Sequence, residues 1–479
     1  MIVKGDLPAQ YVQADIFQLI GKAAAELGQD VFVVGGYVRD SLLDRPRSPD
    51  LDFVTVGSGI ELAEKVAATL PEKVQVNVFR SFGTAMIRFG QLELEFVGAR
   101  KESYDRNSRK PHVEDGSLRD DQNRRDFTIN AMAISLNDSD FGRLEDPFNG
   151  LQDLNNKLIR TPLDPDITYS DDPLRMLRAI RFASQLDFTI EKESLEAIER
   201  NAERLQIVSI ERIMSEFNKI MNSQKPSVGL ALMYETGLLK EFFPELVALQ
   251  GVEEIEGQLH KDNFYHTLEV VDNVAVRSDN LWLRWSALLH DIGKPVTKRF
   301  DKRIGWTFHN HEFVGSKMVP RIFRRLKLPM GEPMKYVRKI VMLSSRPAAL
   351  ADNEVTSSAI RRLLFDAGNE VDDLMTLCEC DITTKNRKRK ERYLRNFADV
   401  RDKLLIVEEE DRIRNWQPPV DGQLIMETFN IPPGPEIGAI KNAIREAILE
   451  GEIPNEKEAA LQFMLKKGSE LGLQARKSS

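Results

Sequence analysis

Between Val31 and Val97 the order of apolar and polar positions predicts strands alternating with helices. Val31-Phe32-Val33-Val34 is apolar throughout and stops at Gly35-Gly36, as a buried strand ending in a turn would. A helix-like segment carrying Arg39 and Asp40 follows, and then Ser48-Pro49-Asp50-Leu51-Asp52-Phe53-Val54. Residues two apart in a strand share a side. Asp50 and Asp52 therefore face one way, and Leu51 and Phe53, joined by Leu43, face a core. Gln91-Leu92-Glu93-Leu94-Glu95-Phe96-Val97 alternates in the same manner, with Glu95 on its polar side. Ala14 to Leu27 and Ile60 to Leu70 have helical periodicity, and Phe82 to Ile87 opens the strand pair that ends in Glu95. Arg100 to Pro111 has few apolar residues and reads as a mobile segment.

Helical patterns dominate the rest. Asp146-Pro147-Phe148-Asn149-Gly150 is a turn signal. Asp171-Asp172-Pro173-Leu174-Arg175 opens a helix with Pro173 as its first residue and Asp172 as the N-cap. Leu174, Leu177 and Ile180 give it an apolar stripe, and Arg175, Arg178 and Arg181 a separate cationic one. Ile210 to Lys219 is a charged amphipathic helix, and Gly229 to Phe243 continues helical until Pro244. His266 precedes an apolar helix from Leu268 to Val276, His290-Asp291 ends another, and Asp381 follows a third that runs from Asp372 to Cys380. Trp416 to Gly422 punctuates the chain before a small helical unit with Ile440 to Glu450, and the tail frays beyond Gly468.

Composition narrows the class. A chain of 479 residues suits two to four domains, and 42% hydrophobic with 30% charged residues describes an ordinary soluble protein. No run of about 18 apolar residues exists to span a bilayer. Met1 to Gln10 lacks a basic-then-apolar leader, so a cytoplasmic location is expected. Cys378 and Cys380, two apart on a helix, point in different directions, which disfavours a disulfide or a zinc site. The formal charge of −8 does not favour nucleic acid. Local distribution matters more than the sum. Basic islands stand at Arg119 to Arg125, Arg175 to Arg181, Pro320 to Lys339 and Lys385 to Arg395. They suit either an RNA backbone or solvated helix faces.

Asp50, Asp52 and Glu95 on neighbouring strands make an all-oxygen pocket suited to Mg²⁺, and a metal pair can clamp the attacking and leaving oxygens of a phosphoryl transfer. The Gly35-Gly36 turn adds bare backbone N–H groups for a triphosphate. An Asp-x-Asp pair alone is common in turns; the Gly-Gly-x-x-Arg-Asp just upstream changes its meaning. Gly35-Gly36-Tyr37-Val38-Arg39-Asp40 followed by Asp50-Leu51-Asp52 resembles the head of a class II nucleotidyltransferase, the family of tRNA CCA-adding enzymes and bacterial poly(A) polymerases. Arg124-Arg125-Asp126-Phe127-Thr128-Ile129-Asn130 matches the same family's Arg-Arg-Asp motif.

The resemblance implies an α+β chain: a polymerase-beta-like head with a mixed sheet over residues 1–160, then an all-helical neck (161–250), an HD body (251–400) and a helical tail (401–479). It implies that Asp50 and Asp52 hold Mg²⁺ with support from Glu95, and that Gly35, Gly36, Arg39 and Arg125 hold the triphosphate. Asp126 and Asn130 would place the ribose. Asp172 and Arg175 would select the base, with Arg178 and Arg181 along the same helix also binding the nucleotide, although Asp171 stands where the family's Glu-Asp-x-x-Arg pattern has Glu. The chemistry of selection is explicit. Cytosine and adenine both present an amino donor beside a ring-nitrogen acceptor, which a carboxylate and a guanidinium can read together; guanine and uracil would leave both groups unpaired.

Five of the six histidines fall between His260 and His311. His266, His290, Asp291 and Asp381 match the four ligands of an HD domain, and His309 and His311 fall where further ligands occur. Such a set suits Mn²⁺, Fe²⁺, Ni²⁺ or Zn²⁺ and could hydrolyse phosphate esters. The expected activity is template-independent addition of C and A to a tRNA 3′ end from CTP and ATP, with no membrane partner. The rival readings are a poly(A) polymerase, an enzyme adding only A or only C, or a phosphohydrolase working mainly from the HD site.

Overall fold

The apolar run from Val31 forms β1 (Asp30–Val34), preceded by α1 (Asp15–Glu26) and followed by α2 (Gly36–Leu42). These come from a computed structural model that describes residues 8–12, 14–46, 48–104, 111–251, 254–255, 258–259, 262–351, 356–411 and 419–475. His260, residues 1–7 and residues 416–418, on which sequence readings also fell, lie outside that set. Next come β2 (Asp50–Val56), α3 (Gly59–Thr69), β3 (Val76–Phe79), β4 (Thr84–Phe89) and β5 (Leu92–Gly98). The expected mobile segment is strand at both ends, because β6 (Arg100–Tyr104) and β7 (Pro111–Asp115) pair antiparallel; residues 105–110 between them are outside the described set. With β8 (Ala133–Ser135) and β9 (Leu144–Glu145) the main sheet has seven strands, in the order β3-β4-β5-β2-β1-β8-β9. It is mixed, since β2 runs antiparallel to β1 and parallel to β5.

Strand alternation sorts the two faces. Leu51, Phe53, Leu94 and Phe96 are buried on one, where Phe53 stacks on Phe96 and meets Phe17 of α1. Leu42 is buried while Leu43, the residue expected there, is only half-buried. The opposite face carries Asp50, Asp52 and Glu95 at one end. Further along, Val54 closes it in a second apolar cluster with Phe32, Val34, Ala99 and Ala133. The carboxylates thus lie where the sheet changes from apolar to polar.

Helices α4 (Leu118–Asn123), α5 (Gly150–Asn155), α6 (Pro165–Asp171), α7 (Leu174–Leu186), α8 (Lys192–Asn201), α9 (Ile210–Met221), α10 (Pro226–Glu235) and α11 (Leu238–Phe242) complete the first of two compact units, Met1–Pro244. Asp172 has extended backbone and its Oδ1 accepts from Leu174 N at 3.3 Å, so it caps α7 although the regular helix starts one residue later than expected. The expected continuous helix from Gly229 to Phe243 is broken. Gly237 turns left-handed at φ +75°, a conformation glycine adopts without a Cβ clash, and separates α10 from α11.

One polar joint fastens α7 to the sheet. Arg178 donates from Nε to Asp126 Oδ2 at 2.7 Å and its Nη2 lies 2.6 Å from the same oxygen, while Phe127 N and Asn130 Nδ2 donate to Oδ1 at 2.9 and 3.0 Å. Arg39 Nη1 donates to Asn130 Oδ1 at 2.8 Å and binds Asp40 through its other nitrogens. Beneath them the buried Phe182 ring lies 4.8, 5.6 and 4.1 Å from the guanidinium carbons of Arg39, Arg178 and Arg181, and meets Phe127 edge-on. Arg181 also lies 2.7 Å from Glu216 of α9.

The second unit, Glu245–Ser479, is largely helical. Its helices Asn263–Arg277, Leu281–Leu289 and His311–Arg325 surround the fully buried Trp285, which packs against Phe323. His266 lies inside the first of these helices rather than before it, because the Asp262 side chain caps that helix at Phe264 and Tyr265. The last three helices, Gly422–Phe429, Pro435–Glu450 and Lys457–Glu470, share a core of Val420, Ile425, Ile440, Ile444 and Met464, so regular helix continues past Gly468. Among the described residues no helix is long and apolar enough to cross a membrane.

The joint generates a pH-dependent prediction. Burial would raise the pKa of Asp126, but Arg178 and Asn130 hold it down to about 2, against 3.8 for a free carboxyl. A depressed carboxylate stabilises the fold above its unfolded pKa and loses that contribution as pH falls through the folded value, here a contribution of about 2 kcal/mol. Urea denaturation of Asp126→Asn should show a deficit of about that size near neutral pH, shrinking as pH falls from about 4 towards 2.

Candidate active site and metal centre

At the end of β1 the backbone of Gly35 adopts φ +74° and ψ −137°, a combination essentially reserved for glycine. Its space is also spoken for. A Cβ on Gly35 would lie 3.2 Å from Asp52 Oδ2 and 3.6 Å from Arg125 Nη1, and one on Gly36 would lie 3.6 Å from Arg39 Nη2. The turn, the second carboxylate and the arginine of the Arg-Arg-Asp motif therefore converge on one spot.

Asp52 sits directly beside Glu95 in the parallel β2–β5 register, with Asp50 beside Glu93. Burial pushes the Asp52 carboxyl up, Arg125 opposes this, and the Asp50 charge adds to it. Glu95 is raised by burial and by Asp52, with a further contribution from Asp50. Asp52 and Glu95, both raised by burial and by neighbouring carboxylate charge, form with Asp50 the kind of donor set a divalent cation relieves. Their oxygens do not all close to within 4.8 Å of one another; among the described residues only His266, His290 and Asp381 do so.

Asp121, which the sequence reading passed over, aims the arginine. It is fully buried, and its Oδ2 accepts from Arg125 Nε and lies 2.9 Å from Nη2, leaving Nη1 turned towards Gly35. Its Oδ1 takes Arg124. The signal was present, since an acid three and four residues before two arginines on a helical turn can hold both. Arg175 Nη2 donates to the carbonyl of Arg124 at 2.6 Å, which ties the expected base-reading arginine to the segment expected to hold phosphate. Asp172 lies one helical turn before it.

Two expected contacts are already committed internally. Three donors and the Arg178 charge engage both oxygens of Asp126, and Asn130 is held between Asp126 and Arg39, so in this arrangement the pair positions arginines. Arg181 is likewise engaged with Glu216 and Phe182.

The second unit assembles a different centre. His266 Nε2 lies 2.7 Å from Asp381 Oδ1, and His290 Nε2 lies 3.6 Å from the same oxygen. Asp291 Oδ2 is 3.3 Å from His290 Nε2 and 3.8 Å from His266 Nε2, but it is also held by Lys294 Nζ at 2.6 Å. The rings are oriented from behind. His290 Nδ1 faces the Ala287 carbonyl at 2.7 Å, His311 Nδ1 the Phe308 carbonyl at 2.9 Å, and His266 Nδ1 the Thr383 hydroxyl at 3.1 Å. Bonds of this kind fix the tautomer and leave Nε2 for a metal. His290 Nε2 and Asp381 Oδ1 are buried with no aligned hydrogen-bond partner, as metal ligands would be. Burial lowers the pKa of His290, but Asp291 and Asp381 carry it up to about 10. His311 Nε2 comes within 3.4 Å of Asp291, whereas His309 is exposed.

Comparison with known proteins matches this division. Residues 31–160 fit the family described as poly A polymerase head domain, 187–249 the probable RNA and SrmB-binding site of polymerase A, and 263–380 the HD domain. The chain is 32% identical over 351 residues to an A-adding tRNA nucleotidyltransferase of Deinococcus radiodurans, covering 72% of this chain and 78% of that one. It is 29% identical over 433 residues to a CCA-adding enzyme of Bacillus velezensis, covering 90% and 92%. The A-adding enzyme of Aquifex aeolicus matches at 35% over 292 residues, and there this chain spans only 34% of the relative's length. The structure of the Bacillus stearothermophilus CCA-adding enzyme in complex with CTP superposes with a TM-score of 0.64 at 25% identity, covering 96% of this chain and 99% of that one. With the head motifs on one sheet face, the helical segments after them and the histidine cluster beyond, the chain belongs to the class II family of CCA-adding enzymes and poly(A) polymerases that carry an HD domain.

Proposed function

We propose that this chain adds C and A residues to the 3′ end of tRNA, taking them from CTP and ATP. The observation that carries the reading is the convergence of the Gly35 turn, Asp52 and Arg125 beside Glu95. The RNA 3′-hydroxyl oxygen bonds to the α-phosphorus of the nucleotide while the bond from that phosphorus to the bridging oxygen breaks, and pyrophosphate leaves with the electron pair. Glu95, whose carboxyl is raised by burial, receives the hydroxyl proton. Arg125, pre-aimed by Asp121, and Arg39, held by Asp40 and Asn130, bind the triphosphate oxygens. Asp172 accepts from the amino group of cytosine or adenine and Arg175 donates to the adjacent ring nitrogen. Divalent ions held by Asp50 and Asp52 would supply charge neutralisation at the transferred phosphate.

Incubation of tRNA lacking its CCA end with labelled CTP and ATP, resolved at single nucleotides, tests this. Two C then one A is the expected product. Extension only of tRNA already ending in CC would make the chain an A-adding enzyme, and long A tracts would make it a poly(A) polymerase. Asp50→Ala should abolish extension. Arg125→Lys should raise KM for both nucleotides by at least about tenfold, the worth of a lost charge-assisted hydrogen bond. Asp172→Ala should erode selection against UTP and GTP by roughly tenfold to a hundredfold.

A second reading is favoured by the histidine cluster: hydrolysis of phosphate esters at His266, His290, Asp291 and Asp381. A transition metal bound there would supply an activated water. The wild-type chain purified from medium containing Mn²⁺, Ni²⁺ or Zn²⁺ should carry one equivalent by elemental analysis. His266→Ala combined with Asp381→Ala should lose that metal while nucleotide addition persists.

A further inference from the structure

The sheet face bearing the carboxylates does not stop at Glu95. Cross-strand partners share a face, and the register pairs Asp52 with Glu95, Glu95 with Met86, and Thr84, two residues before Met86, with Phe79. One surface therefore runs from Asp52 across β5 and β4 to Phe79 on the edge strand, three strand spacings or roughly 14 Å away. Phe79, Phe82, Thr84, Met86 and Glu95 line a hollow of about 340 Å³ on it.

Two aromatic rings at this hollow are exposed, Phe79 by 45% and Phe82 by 67%. Scattered exposed apolar residues need no explanation. A pair flanking an arginine beside a reactive carboxylate is a different matter. Arg80 between them is exposed and has no carboxylate partner among the described residues. The turn presenting Phe82 is held in place: Gly83 is left-handed at φ +61°, and the Phe82 carbonyl accepts from Thr84 Oγ1 at 3.3 Å and Arg100 Nη1 at 3.2 Å. Arg100 in turn holds Glu102 at 2.7 Å, and Glu102 lies 3.3 Å from Arg124, the neighbour of the phosphate-binding arginine. The rings are thus displayed on a braced turn.

Exposed aromatics interleaved with a cation are how proteins hold single-stranded nucleic acid, because every base has a π-face to stack. Proceeding from the nucleotide-transfer reading above, we propose that Phe79 and Phe82 stack the terminal base of the RNA acceptor strand, with Arg80 on its backbone phosphate, and so position the 3′-hydroxyl at Glu95 and Asp52. The incoming nucleotide is held separately, by Arg125 and the Asp172–Arg175 pair. These three side chains are positioning residues for the acceptor.

The test uses the full chain and two tRNA acceptors lacking CCA, one complete and one whose terminal nucleotide is abasic. For the wild type, kcat/KM on the abasic acceptor should fall by about tenfold or more, the range of one stacked base. In Phe79→Ala combined with Phe82→Ala, the complete acceptor should fall by the same factor and the abasic penalty should vanish. KM for CTP and ATP should stay within twofold, and Tyr at both positions should restore the wild-type pattern. Leu at both positions, which keeps apolar bulk without a π-face, gives the same reading if the alanine variant melts early. An unchanged abasic penalty in the variants, or a rise in nucleotide KM instead, overturns the platform alone. Should the wild type extend only tRNA ending in CC, the same comparison is read on that acceptor and its abasic counterpart; failure to extend any of these RNAs overturns the transfer reading and the platform with it.

Discussion

The first unit depends on an ion pair between a buried carboxylate and a half-buried guanidinium. Asp126 and Arg178 join the end of the Arg-Arg-Asp segment to α7; the carboxylate is buried, and the guanidinium side chain keeps about a third of its surface exposed. Such a pair stabilises only when its remaining hydrogen-bonding capacity is used, and here it is: Asn130, the Phe127 amide and the Phe182 ring complete the shell. Removing Arg178 would strand the buried charge of Asp126. The same contact sets the distance between the carboxylate face of the sheet and the helix that begins with Asp172 and Arg175. A nucleotide whose phosphates lie at one and whose base lies at the other needs that distance fixed.

The two centres use opposite preparations. In the head, like charges are held near one another by strand register, and their mutual repulsion is relieved by whatever cation they share. In the HD unit, backbone carbonyls and a threonine hydroxyl orient the histidine rings before any ligand arrives. Lys294 already balances Asp291 there, so the ligand charge of that aspartate is partly spent on an internal ammonium.

Much of this was legible in the letters because it follows from period. Alternation at Asp50–Phe53 and at Glu93–Phe96 fixed which side chains share a face, and the Gly-Gly stop and Asp-Pro start marked a turn and a helix cap. The misses also have physical causes. Arg100 to Pro111 looked like loop because a two-stranded ribbon outside the main sheet has no apolar face to announce it. Gly229 to Phe243 looked continuous because hydrophobic spacing survives a single left-handed glycine. The commitment of Asp126, Asn130 and Arg181 to internal partners was invisible, since it depends on residues 52, 91 and 35 positions away. The exposure of Phe79 and Phe82 was not foreseen, since Phe82 read as the start of a strand and an aromatic in a strand is presumed to be inside; Phe82 instead lies on the turn before Thr84.

The bond from Arg175 to the Arg124 carbonyl has a kinetic meaning. Arg124 precedes the arginine assigned to the triphosphate, so on the proposed assignment the reader of the base and the holder of the phosphates are neighbouring parts of one rigid arm. A base that drags Arg175 off that carbonyl also slackens the grip on the leaving group. Fidelity then resides less in how tightly a wrong nucleotide is held than in how seldom, once held, it reacts.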